Sequence, residues 1–61
     1  MNKPFNEYEF YAAMETLDFG SLDRWTIEQN AMCNAADSDD PTACAIGTAK
    51  LYIDQNCEYF E

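Results

Sequence analysis

The sequence predicts an all-α fold, a small three-helix bundle, and three observations carry that prediction. Cap residues open apolar stretches at two places, Asn6 with Glu9 three positions on, and Asp40 directly before Pro41. Apolar residues recur at helical spacing through three segments. The breaks between them, Asp18-Phe19-Gly20 and Asp37-Ser38-Asp39-Asp40-Pro41, consist of turn formers and leave only short connections. Amphipathic helices joined in this way bury their apolar stripes against one another as an antiparallel bundle.

The first helix is expected over 7–19. Asn6 is its N-cap, and Glu9 occupies the capping-box position, from which its carboxylate can reach back to the Asn6 N–H. Phe5 and Phe10 have the spacing of a hydrophobic staple, and Gly20 suits the left-handed residue beyond the last turn. The second helix is expected over 22–36, with Ser21 as cap and Asp23 in the first turn, where the helix dipole favours an anion. Leu22, Trp25, Met32, Cys33 and Ala36 share one of its faces.

The third helix is expected over 41–58, capped by Asp40, with Pro41 at the position where a missing N–H costs nothing. Ala45, Ile46, Ala49, Tyr52, Ile53 and Phe60 form its apolar stripe. Gly47 works against this helix by about 1 kcal/mol relative to alanine. A close approach by a neighbouring helix, such as the one bearing Trp25, would account for it. The competing reading makes Lys50-Leu51-Tyr52-Ile53 a short strand. There is no repeat, low-complexity tract or Gly/Ser linker, so residues 1–61 read as one compact domain. Its expected core is Phe10, Met14, Leu17, Leu22, Trp25, Met32, Ile46, Ala49 and Ile53.

Composition excludes several classes of function. A chain of 61 residues buries only about 60% of the surface it exposes when unfolded. Its 48% hydrophobic and 15% aromatic content is nevertheless too high for a disordered chain. Histidine is absent, which removes Ser-His and Cys-His pairs and imidazole metal ligands. Cys33, Cys44 and Cys57 are odd in number and lack a CxxC spacing, so they read as buried small hydrophobes. A single disulfide with one thiol left over is the alternative. The stretch MNKPFNEYEF lacks the apolar core of a secretory signal, and no run approaches the roughly 18 apolar residues of a membrane span. A cytoplasmic protein is expected.

Catalytic and metal chemistry find no foothold in the pattern. Counted as a calcium loop from Asp37, the acidic cluster puts Pro41, Thr42 and Thr48 where a ligand, a glycine and a bidentate glutamate belong. Gly20 and Gly47 stand alone, so no phosphate-binding loop exists. Three short helices rarely enclose the roughly 300 Å³ of a small-molecule site. No catalytic residue, metal ligand or cofactor is assigned, and a non-enzymatic protein is expected.

The charge distribution is more informative. Twelve acids against three bases give net −9, with a pI near 4.1. Such a balance repels nucleic acid and anionic membranes, and it exceeds the magnitude of about 2–8 that serves solubility. On the first helix Phe10, Ala13, Met14 and Leu17 fall on one side. Glu7, Glu15 and Asp18 fall opposite or on the flank, with Tyr8 and Tyr11 among them. Rigid aromatics among carboxylates have the composition of an interface that steers a basic partner. Asp54, Glu58 and Glu61 share a face of the third helix and form a second candidate surface.

Basic protein surfaces are mostly those that bind nucleic acid, and acids one or two helical turns apart can stand where phosphates would lie. In size, charge and class the chain resembles the small acidic proteins that phages encode against restriction, CRISPR or transcription machinery; the resemblance extends to no residue motif. The expected function is a non-enzymatic inhibitor or modulator of a nucleic-acid-processing protein, acting as a nucleic-acid mimic. The alternative is a helical assembly module that forms a homodimer or joins a larger complex. Ile27, Leu51 and Cys44, each off its helix's main apolar face, would supply the patches.

Overall fold

A computed structural model describes residues 3–55 of the chain. It contains α1 (Glu7–Glu15), α2 (Arg24–Ala35) and α3 (Pro41–Asp54), packed together, with no strand among the described residues. Lys50 to Ile53 are therefore helical. The middle layer is α3, which packs against both α1 and α2. Residues 36–40 alone join α2 to α3. No helix among the described residues is long and apolar enough to cross a membrane.

The core consists of Phe10 and Met14 from α1, Ile27, Ala31 and Ala35 from α2, and Ala45, Ala49 and Tyr52 from α3. Alanines on both α2 and α3 are small enough for two backbones to pack closely, and Phe10, Met14, Ile27 and Tyr52 are the largest fully buried side chains. The buried Tyr52 hydroxyl accepts a hydrogen bond from Asn34 Nδ2 at 2.7 Å, which ties α3 to α2. Leu17, Leu22, Met32, Ile46 and Ile53 pack against the core half-buried. Residues 56–58 of the expected third helix, with Cys57, Glu58, Phe60 and Glu61, lie outside the described residues.

Trp25 departs from the expected core, being 67% exposed. Two apolar stripes compete on α2, and the one that is buried runs through Ile27, Ala31 and Ala35, not through Trp25 and Met32. The alanine stripe wins because α3 presents alanines opposite it, and an indole would hold the two backbones apart. Ile27 is in consequence fully buried and is no docking patch, while Cys33 and Ala36 are exposed. Cys33 is thus not a buried hydrophobe, Cys44 is half-buried, and both are free thiols.

The caps also differ in part from expectation. Asn6 caps α1, its Oδ1 accepting from the Glu9 N–H at 3.1 Å. The Asn6 N–H, however, donates to Oγ1 of buried Thr42 at 2.8 Å, so a tertiary bond replaces the Glu9 half of the capping box. Helix α1 stops at Glu15, because Thr16 folds its hydroxyl back onto the Ala13 carbonyl at 2.7 Å and caps the last turn. Gly20, at φ +58, therefore sits in the following turn, its N–H donating to Asp18 Oδ1 at 3.0 Å. Asp23 replaces Ser21 as the α2 cap, accepting from the Trp25 N–H and the Thr26 hydroxyl. Asp40 caps α3 with Pro41 beside it, as expected. Gly47 has nothing within 4 Å of where a Cβ would stand, so no close helix approach explains it.

Candidate functional site

The position of α1 is fixed from both ends. At its start, the Asn6–Thr42 bond and the Lys3–Asp40 ion pair (3.3 Å) hold the chain against the beginning of α3. Along its inner side, Phe10 and Met14 are fully buried, and the Phe5 ring meets Phe10 at a tilt with ring centroids 5.4 Å apart. With that side anchored, Tyr8, Ala12 and Glu15 face outward, and Glu7 and Tyr11 flank them. The expected face thus exists, except at its C-terminal end.

A groove of about 500 Å³, open to solvent, runs over this outward side and is lined by Glu7, Tyr8, Tyr11, Ala12 and Glu15. It is not enclosed between helices, so the expectation that three helices leave no interior pocket concerns a different kind of space. Tyr8 is 91% exposed. Tyr11 is 36% exposed and stands edge-on to Phe10 with centroids 5.1 Å apart, so its ring is pre-oriented by the core. Over the eight steps from Glu7 to Glu15 the helix rises about 12 Å, which offsets the two glutamates along the axis.

Arg24 organises the C-terminal end of the groove. Its Nη2 donates to Glu15 Oε2 at 3.3 Å, its Nε donates to Glu28 Oε2 at 2.6 Å, and its guanidinium carbon lies 5.7 Å from the Phe19 ring centroid. These bonds, the one to Glu28 foremost, hold the guanidinium even further above neutrality than usual. Asp40 is shifted in the acidic sense: the Ala43 N–H, and then Lys3, hold its carboxyl below the ordinary aspartate range. Two of the three bases are therefore engaged within the fold, and the third, Lys50, is exposed on α3.

Of the sequence-derived interface residues, Glu7, Tyr8, Tyr11 and Glu15 come together in the groove. Asp18 does not line it; past the end of α1, it serves the turn through Gly20. Asp54 is exposed on the last turn of α3, with Lys50 one turn before it, while Glu58 and Glu61 lie outside the described residues. Sequence reasoning missed Ala12, whose small side chain makes the floor, and Glu28, a buried carboxylate paired to Arg24. Among the described residues no group of Cys, Asp or Glu is placed to hold a metal ion, and Asp40 works as a helix cap. Comparison with known protein families, curated proteins and solved structures finds no match to this chain.

Proposed function

We propose that this acidic helical bundle is a non-enzymatic inhibitor or modulator that binds a basic, nucleic-acid-binding surface of a partner protein through the outward face of α1. The observation that carries the reading is Tyr8, 91% exposed at the groove between Glu7 and Glu15. An aromatic ring held in water beside carboxylates contributes nothing to the core, whereas it can supply a desolvated anchor to a partner. A net charge of −9, with Lys3 and Arg24 tied up in ion pairs, leaves an anionic field that speeds encounter with a basic surface. Such a field, mimicking phosphates, would occupy a groove that otherwise holds nucleic acid.

The test is affinity capture from host-cell lysate at low salt with a salt-step elution, wild type against a Glu7→Lys, Tyr8→Ala double variant. Among the described residues neither side chain makes a hydrogen bond or ion pair, and both are exposed, so circular dichroism should change little. The wild type should retain a basic nucleic-acid-binding protein that salt elutes, and the variant should not. Equal capture by both would sink the reading. A second reading, self-association, is favoured by the exposure of Trp25 (67%) and Leu51 (46%). It requires a dimer in sedimentation equilibrium that high salt leaves intact.

A further inference from the structure

We infer that the α1 groove is an arginine site, taking the guanidinium of one arginine from the partner's basic surface above Ala12, between the two tyrosine rings and the Glu15 carboxylate. This rests on the proposed acidic-face function and names the side chain that face selects. The floor comes first. Ala12 follows Tyr8 by one helical turn and precedes Glu15 by less than one, and its lack of any atom beyond Cβ opens the volume that the longer side chains wall. A helix face with a larger residue at this position would have no such notch.

The walls then discriminate between cations. Guanidinium is planar, weakly hydrated and able to lie on an aromatic face while its edge donates to a carboxylate. An ammonium is a compact, strongly hydrated point charge that gains the field but little from the rings. Two tyrosines and two glutamates around one open groove match the first chemistry better than the second. The fold already contains an example at the groove's edge. Arg24 places its guanidinium over Phe19 at 5.7 Å while donating to Glu15 at 3.3 Å and to Glu28 at 2.6 Å. That is an aromatic face and carboxylates on one guanidinium, the same set of groups that the groove offers to an incoming arginine. The hydrogen bond from Arg24 reaches only Oε2 of Glu15, and Oε1 carries no hydrogen bond among the described residues.

The full chain would be titrated with two blocked Gly-Ser heptapeptides of equal charge, one carrying two arginines and the other two lysines at the same positions. Calorimetry at low and high salt reads affinity, and the tyrosine ring resonances locate the contact. The arginine peptide should bind roughly two- to fivefold more tightly, the range a cation over an aromatic face supplies at exposed sites. Tyr8→Ala should bring it down to the lysine peptide. Ala12→Met, which fills the floor at an exposed helical position, should do the same with helicity unchanged. Equal affinity of the two peptides, or an arginine preference that survives Ala12→Met, overturns the arginine site while salt-sensitive binding of both peptides leaves the acidic-face reading standing. Failure of both peptides to bind at low salt overturns the two together.

Discussion

Glu28 is the least expected feature of the core, a carboxylate only 7% exposed on a helix face otherwise lined by Ile27, Ala31 and Ala35. Its partner Arg24 is the natural perturbation. Arg24→Met removes the 2.6 Å bond and leaves Glu28 buried without its cation. Loss of one member of a fully buried pair costs about 3–5 kcal/mol. Arg24 is partly open to water, which screens the pair, so about 1–2 kcal/mol is expected from stranding Glu28. Loss of the exposed Glu15 pair and of the Phe19 contact adds on the order of 0.5 kcal/mol each. The sum, about 2–3 kcal/mol, is a large share of the roughly 3–9 kcal/mol available to a domain of this size. Glu28→Met removes the same bond but leaves no stranded charge, and its added apolar area borders the core, so it should cost less than about 1 kcal/mol. The double variant Arg24→Met, Glu28→Met should therefore be more stable than Arg24→Met alone. Urea unfolding followed by far-UV circular dichroism gives all three values, provided the m-values agree. Additive effects in the double variant, or an Arg24→Met midpoint equal to wild type, would refute the reasoning, because the cost would then not come from a stranded carboxylate.

Two further stability predictions follow from the packing. Gly47→Ala should stabilise the protein by about 0.5–1 kcal/mol, because α3 is helical there and a Cβ meets nothing within 4 Å; thermal unfolding should shift up by roughly 2–8 °C, and a downward shift would reveal a contact that the structure lacks. Trp25→Ala should change the unfolding free energy from urea titration by no more than about 1 kcal/mol, as a 67% exposed side chain implies, whereas a loss of about 3–5 kcal/mol would put the indole back in the core.

What the sequence makes legible is decided by how local the determining contacts are. The orientation of α1 follows from Phe10 and Met14, one turn apart, because the large residue on the opposite side, Tyr8, carries a hydroxyl and stands among carboxylates, so its outward residues can be read from the helical period alone. On α2 the period is equally clear but ambiguous, since Leu22, Trp25 and Met32 make one stripe and Ile27, Ala31 and Ala35 another. Weighing residues by size favours the first. What selects the second is the Ala45–Ala49 surface of α3, information that resides in a different segment of the chain. The same holds at the helix ends. Thr16 can continue a helix or fold its hydroxyl back to stop one, and stopping takes Asp18 off the face on which a longer α1 would have carried it. Ala12 is illegible for a different reason: it bears no functional group, and its contribution is empty space. The acidic field is a property of composition and is evident from a count of charges. The notch that would let that field distinguish one cation from another depends on a residue with no functional group at all. Substitution at Ala12, and not at any carboxylate, is therefore the change that separates general attraction of a basic surface from recognition of a particular side chain.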